Sequence, residues 1–420
     1  MDHLSVAPEK PAQLFRRAPL TPADQLRTLN YDDLERRRVT VFFRFFMVIP
    51  HLLWLSIWAQ GMLLLAPVLW VAALVKGRPP EGLRDVYVMF VRYTLHVYAF
   101  WFLAAERFPG FLGKPRTYAI DLEVPPPGDQ SRWSIGFRGI LALPPLMLAG
   151  ALAGGGGASL ATYGASFGVA VSAAFLAWWA AMFKKRTPEG LRDLMVWSLG
   201  YAAQSYGYFF LLTGRYPNSD PAVAPLAQLP AHPVRLELTD ELRRNRWLVA
   251  FRFVLAFPHQ MWWFLWTVVA ILAAFAGWLC ALVLGRLPRP LHRFLAAYVR
   301  YGAHFNAFYY LGGGLFPGFL GRAGTYPVDI AIDPPERQGR WTVAFRIVLV
   351  FPAFLVAGAL SGVMTFAALG GWFYALIRGR MPEGLRNTIA FSVRYVAQTL
   401  AYLVLVTPRY PYSGPADFRR

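Results

Sequence analysis

Cysteine is nearly absent from this sequence. The single thiol, Cys280, sits inside an apolar run, which excludes an internal disulfide and a cysteine metal cluster. Charge is scarce as well: 15% of the 420 residues are Asp, Glu, Lys or Arg, against 56% hydrophobic, a poor composition for a soluble surface and a good one for a bilayer. Missing patterns exclude several chemistries. No HExxH run is present, Gly154 to Gly157 lacks the following Lys and Ser or Thr of a phosphate-binding loop, and no paired carboxylates interrupt the apolar segments for proton-coupled work. No nucleophile stands beside a base, so nothing here assigns an enzyme activity, a cofactor or a metal. Met1 to Asp33 has no apolar core of the kind a cleavable signal peptide carries, and insertion is expected to use the first apolar hairpin.

The excess of base over acid is the strongest bias that remains. A formal charge of +19 could suggest nucleic acid, but the basic residues come in short groups flanking apolar segments, without one continuous basic face. That distribution points to a membrane and to anionic lipid.

The chain repeats at two levels. Pro80-Glu81-Gly82-Leu83-Arg84 returns as Pro188 to Arg192 and Pro382 to Arg386, with a weaker copy from Pro288. Each copy separates two apolar stretches. Ahead of them runs a fixed register of Arg44 and Pro50, Arg138 and Pro144, Arg252 and Pro258, Arg346 and Pro352, six residues apart in every case. Trp133, Trp247 and Trp341 precede three of these arginines. Arg beside Trp suits a headgroup layer, so Arg44, Arg138, Arg252, Arg346 and the three tryptophans are expected as interfacial anchors, with each proline turning the chain into a span. The higher repeat is a duplication of halves: Arg44 and Arg252, Tyr118 and Tyr326, Trp133 and Trp341 all lie 208 positions apart. After Gly154 to Gly157 the offset falls to 194, so the second unit carries 14 extra residues that break or extend its span.

In three units the stretch from proline to loop is 30 residues, more than a hydrocarbon core of about 30 Å requires at about 1.5 Å per residue. The expected architecture is therefore an all-α polytopic membrane protein. It has four two-helix hairpins, about eight transmembrane helices, in two duplicated halves. Gly77, Gly285 and Gly379 end outgoing helices, and Pro-Glu opens the return. Every unit would cross twice and return to the same side, making the hairpins parallel copies about axes along the membrane normal. Tyr118 to Val124, Val234 to Leu238 and Tyr326 to Ile332 alternate with period two and are expected as short extramembrane strands, either paired or extended linkers. The domain plan is a flexible polar arm over residues 1–35, a membrane half over 36–217, a linker with a strand over 218–242, a second half over 243–415 and a tail over 416–420. Lys and Arg number 26 on the side of the termini and 16 on the side of the short loops, which puts both termini in the cytoplasm.

Phe42-Phe43-Arg44 through Pro50-His51, then Gly77-Arg78-Pro79-Pro80-Glu81-Gly82-Leu83 and an aromatic-proline stop, resembles a bacterial integral-membrane family, the domain of unknown function 4389, in tandem copies. Phe251-Arg252 through Pro258-His259 repeats the likeness. The even units lack the histidine, and the third reads Pro288-Arg289-Pro290 at its loop. The resemblance implies a bacterial multi-pass protein of the cytoplasmic membrane and brings no activity.

Four histidines match across the halves: His51 with His259, and His96 with His304. His96 and His304, with Gln204 and Gln398 at the equivalent even places, either hydrogen-bond between helices or join across the pseudo-twofold axis as ligands. Arg92, Arg300 and Arg394 stand eight residues into their return helices. With Arg84 and Arg386 they are candidates for an anion or lipid-headgroup site, or else hold helices together. Two functions follow: a scaffold or accessory subunit that binds anionic lipid and a protein partner or a second copy, or a channel or transporter for anionic solutes or lipids with Arg92, Arg300 and Arg394 as its selectivity ring.

Overall fold

The structure, a computed structural model, describes residues 20–21, 24–154, 168–223 and 231–415. Helices dominate. The first unit is α1 (Arg38–Lys76) and α2 (Glu81–Trp101); the second is α3 (Arg132–Gly136), α4 (Arg138–Leu141), α5 (Leu143–Ala153), α6 (Val169–Lys184) and α7 (Glu189–Phe209). The third is α8 (Arg246–Ala250), α9 (Arg252–Leu284) and α10 (Arg289–Tyr309); the fourth is α11 (Arg340–Ala344), α12 (Arg346–Arg378) and α13 (Glu383–Leu403). Strands β1 (Arg27–Asn30) and β2 (Ile120–Glu123) pair antiparallel, as do β3 (Val234–Leu238) and β4 (Val328–Ile332).

The turns form as their residues dictate. Gly77, Gly285 and Gly379 close their helices in the left-handed region at φ 75°, 65° and 66°. Pro80 and Pro382 are extended N-caps, and Glu81 and Glu383 sit in the first turn, where the helix dipole favours an anion. Pro50, Pro258 and Pro352 do not turn the chain as expected, because all three lie inside helices. The expected interfacial segment and span are one helix in α1. In the third and fourth units the break comes at Phe251 and Phe345, before the proline. Most of the 14-residue insertion falls on 155–167, outside the described residues, but its flanks meet. Gly154 ends α5 at φ 65°, and a Cβ there would lie 2.9 Å from the Gly168 Cα. The segment that is a single helix in the fourth unit is split here into α5 and α6.

The units are not parallel copies. Arg38 donates to Phe183 O at 3.0 Å, Arg132 to Val75 O at 3.4 Å, Arg246 to Ile377 O at 3.0 Å and Arg340 to Val283 O at 3.1 Å. Each bond joins the start of one unit to the turn end of its partner, so units one and two are antiparallel, and so are three and four. The linker is the physical reason. After α2 it runs back along that helix: Leu122 O accepts from Arg92, Pro125 O from Arg84, and the Gln130 amide donates to Gly77 O at 2.8 Å. Extended chain rises about 3.3 Å per residue against about 1.5 Å in a helix, so a short linker retraces a whole helix. The Gln338 amide on Gly285 O repeats the arrangement at 2.8 Å. The expected flexible arm is corrected as well: β1 lies within it, with Leu26 and Leu29 buried.

Three layers result. The return helices form the inner layer: α2 packs on α7 and α10 on α13, with Trp197 of α7 against Phe391 of α13 joining the halves. On one side α1, α5, α6, α12 and α9 form an outer helix layer, in which α12 meets α5 and α6. On the other side lie the two sheets, with β2 on α2, β1 on α7, β3 on α13 and β4 on α10. Gly200 and Gly207 of α7 admit the first sheet: Cβ atoms there would meet Thr28 Oγ1 and Leu26 Cδ2, both at 2.7 Å.

Candidate functional site

Each half contains one buried polar cluster where a strand crosses its inner helix. The helix repeat brings Arg92 and His96, four residues apart, to one face of α2, and β2 delivers Asp121 to that face. His96 Nε2 lies 3.1 Å and Arg92 Nε 3.2 Å from Asp121 Oδ1, and all three residues are buried. A carboxylate can only accept, so His96 carries its hydrogen on Nε2. The amides of Arg116 and Leu122 also donate to Asp121. Burial by itself raises the Asp121 carboxyl; the bonds from His96 and the two amides outweigh it and hold the group below its ordinary value. The second half repeats the cluster. His304 Nε2 lies 2.7 Å from Asp329 Oδ1, Arg300 Nε lies 3.6 Å from it, and Asp329 is depressed against burial by His304 and the Gly324 and Ile330 amides.

The arginines clamp the following chain to the helix, a strand in the case of Arg92 and Arg300 and the segment at 412–414 in the case of Arg394. Arg92 Nη2 donates to Leu122 O at 3.0 Å, Arg300 Nε to Ile330 O at 3.0 Å and Arg394 Nη2 to Gly414 O at 2.8 Å. Their donors hold backbone carbonyls of the chain that follows each return helix. Arg84 reaches Pro125 O and Arg386 reaches Asp240 O, so the headgroup candidates at the helix starts are engaged in the same way. Gln204 and Gln398 donate to Leu26 O at 3.3 Å, just ahead of β1, and to Val234 O at 2.9 Å, in β3. His96 and His304 do not meet: α2 and α10 flank opposite sides of the inner layer, and each imidazole is held by its own aspartate. Among the described residues no third carboxylate, thiol or imidazole joins either pair to complete a metal site, and no Ser, Thr or Cys bonds either imidazole.

The four expected interfacial arginines are inside the fold. Arg44, Arg138, Arg252 and Arg346 are each at most 2% exposed. They cap the C-termini of the return helices. Arg44 donates to Phe100 O and Ala105 O, Arg138 to Tyr208 O and Thr213 O, Arg252 to Phe308 O, and Arg346 to Thr407 O. Each guanidinium also stacks over an aromatic ring of its return helix: Phe100, Tyr208, Phe308 and Tyr402, at 4.3, 3.9, 4.5 and 4.0 Å. A cation suits this place because the last carbonyls of a helix are unpaired and its dipole ends negative. Trp133, Trp247 and Trp341 are the reverse case, 77%, 74% and 79% exposed at the ends of the outer layer.

Sequence reasoning missed four aspartates. Asp121 and Asp329 hold the histidines; Asp32 and Asp240 form buried pairs with Arg36 and Arg244 at 2.8 Å. The signal was present, since each aspartate pair also lies 208 positions apart.

The outward surface of the outer layer is the largest feature outside these clusters. Among the described residues α1, α9 and α12 are long and apolar enough to cross a membrane. On α1 exposed side chains run from Val39 to Val75, on α9 from Phe253 to Leu284 and on α12 from Ile347 to Ile377. The opposite surface is polar: Arg235 and Asp333 pair across the second sheet at 2.8 Å with side chains 54% and 39% exposed.

A family model described as "Domain of unknown function (DUF4389)" matches the chain three times, over residues 38–113, 246–317 and 340–413. These regions are the first, third and fourth units. No curated protein and no solved structure matches the chain.

Proposed function

Since the chain belongs to the family of the domain of unknown function DUF4389, a tandem membrane-type repeat without assigned chemistry, we propose that it is a membrane-embedded scaffold. Its outer helix layer lies along a bilayer, and its strand layer presents a charged platform to water and to a protein partner. One observation carries this reading: the exposed apolar side chains of the outer helices and the exposed ion pair of the second sheet lie on opposite sides of the inner helices. Exposed ion pairs such as Arg235–Asp333 on the strand face do not fit a hydrocarbon core.

Helix length agrees. From Val39 to Val75 the exposed apolar stretch of α1 covers about 54 Å, and that of α9 about 47 Å, against a core of about 30 Å. Upright spanning would need tilts of about 50° or more, beyond the usual range of up to about 40°. Helices lying in the plane of one leaflet need no such tilt. Exposed Trp133, Trp247 and Trp341 then sit at the headgroup level, beside Arg132, Arg246 and Arg340 at the helix ends. Basic residues at that level attract anionic lipid by about 1 kcal/mol each, which favours the cytoplasmic leaflet. The channel reading requires Arg92, Arg300 and Arg394 to face a lumen, and their bonds to backbone carbonyls within the fold support the scaffold instead.

The test is flotation of purified protein with neutral vesicles and with vesicles containing phosphatidylglycerol, over a salt series. Flotation with both, stronger with the anionic vesicles and weakened by salt in that excess, is expected. Protein that stays dispersed in detergent-free buffer and fails to float overturns the membrane reading.

A further inference from the structure

The first half contains a cavity of about 490 Å³ enclosed by α1, α2, α5 and α7. Its volume falls in the range of roughly 300–1,000 Å³ found for small-molecule sites. Leu55, Ala59, Phe90 and Leu199 are among its lining side chains. Among the described residues polar groups are few: the Ser56 and Thr94 hydroxyls donate back to Leu53 O and Phe90 O within their own helices, both at 2.8 Å, which leaves the phenols of Tyr98 and Tyr206 as the polar groups at the wall. The rim residues Ser56 and Leu63 are exposed on the outward surface of α1, so the cavity opens onto the apolar face.

The duplicated half fills the same place. Leu55 corresponds to Trp263 and Thr94 to Gly302, each pair 208 positions apart. A Cβ on Gly302 would lie 3.3 Å from Trp263 Cζ2, so the indole occupies the space beside a residue that has no side chain. Thr267, where the first half has Ala59, reaches Tyr298 OH at 2.9 Å and closes the wall further. The fold therefore accepts a filled version of this space, as the described residues of the second half show.

Resting on the membrane reading above, we infer that this cavity binds one hydrocarbon chain of a lipid, drawn from the bilayer through the gap beside α1, with the Tyr98 and Tyr206 phenols meeting its polar end. A slot open to lipid, apolar along its walls and with two hydroxyls, fits a single chain better than a polar solute, whose groups would go unpaired. The chain belongs either to a free fatty acid or to a phospholipid.

The experiment transplants the plug. Wild type, the double variant L55W/T94G and the reciprocal triple variant W263L/T267A/G302T are extracted in mild detergent, incubated with radiolabelled palmitate or dipalmitoyl phosphatidylglycerol, and desalted. Wild type is expected to retain one equivalent of one probe, the plugged variant none, and the reciprocal variant two. The retained probe identifies the source. No retention by wild type, or equal retention by the plugged variant, overturns the site. The reciprocal variant keeps the inference falsifiable if the plugged one misfolds: retention that stays at the wild-type level there also counts against it. Vesicle flotation is run on the same samples, so flotation without chain binding removes the cavity assignment alone, whereas wild type that does not float removes the membrane reading.

Discussion

His96 Nε2 meets Asp121 Oδ1 at 3.1 Å, and 208 residues later His304 Nε2 meets Asp329 Oδ1 at 2.7 Å. In both halves an imidazole from an inner helix and a carboxylate from a strand fix the sheet to the helix layer. The pair is the hinge point of the architecture, because the linker that carries the aspartate also reverses the direction of the next unit.

Asp121→Ala should therefore destabilise strongly. It leaves Arg92 and His96 buried without their shared acceptor, a loss of about 3–5 kcal/mol for one partner of a buried pair. The Asp121 carboxyl is depressed in the folded state, so its contribution is present above the unfolded value, near 4, and is lost as pH falls through the folded value. Thermal melts in detergent should show a constant gap between wild type and D121A from neutral pH down to about pH 5, closing below it. A gap that is unchanged at low pH would mean that the carboxylate charge plays no part.

Arg44→Lys keeps the charge and loses the fork that holds two carbonyls and stacks on Phe100. A cost of about 1–3 kcal/mol is expected, because lysine has neither the planar donors nor the stacking face. W133A is the contrast. Its indole is 77% exposed, so stability should stay within about 0.5 kcal/mol while vesicle flotation weakens. If instead R44K weakens flotation and leaves the melting temperature alone, Arg44 acts at the headgroups after all.

The repeats, the turns and three of the four strands were legible because each is written locally: glycine at positive φ, Pro-Glu at a helix start, alternation in the linkers; β1 has no such alternation and was hidden in the polar arm. The direction of neighbouring units was not. It depends on which way the linker leaves Leu103, at φ 58°, and on bonds such as Gln130 to Gly77 that no local pattern announces. The arginine register was read correctly as a repeat and placed wrongly in space. An Arg before an apolar run looks like a snorkelling side chain, and only the return helix 56 residues later shows that Arg44 has carbonyls to cap. Likewise the apolar arc of α1 is the same in sequence whether it faces lipid along the membrane or across it.

Gly113 and Gly321, equivalent across the halves, hold the loop after each return helix against that helix at φ 58° and 55°. A Cβ at Gly113 would sit 2.5 Å from Met89 O and 2.7 Å from the Tyr93 amide nitrogen; at Gly321 it would sit 2.8 Å from the Tyr301 amide nitrogen. Backbone cannot yield as a side-chain tip can, and the conformation is strained for any other residue. G113A should cost about 2 kcal/mol or more, read as a lower melting temperature, and G321A should match it. Gly110→Ala, which would meet nothing within 4 Å, is the control and should melt as wild type.

Antiparallel units make the orientation in the membrane testable with single cysteines. If the helices cross the bilayer, the turn at Arg78 and the turn at Lys185 lie on opposite sides, because Lys185 O accepts from the Arg36 amide at the open end of the first unit. If the outer layer lies in the plane of one leaflet, both turns face the same water as the strand residue Glu237. With Cys280 replaced by Ser, cysteines at 78, 185 and 237 are labelled by an impermeant maleimide in sealed inside-out vesicles. Equal labelling of all three, and none in right-side-out vesicles, is expected for the in-plane arrangement with a cytoplasmic platform. Labelling of 78 and 185 from opposite sides would restore the spanning hairpins and would require the charged sheets to line a water-filled space between copies of the chain.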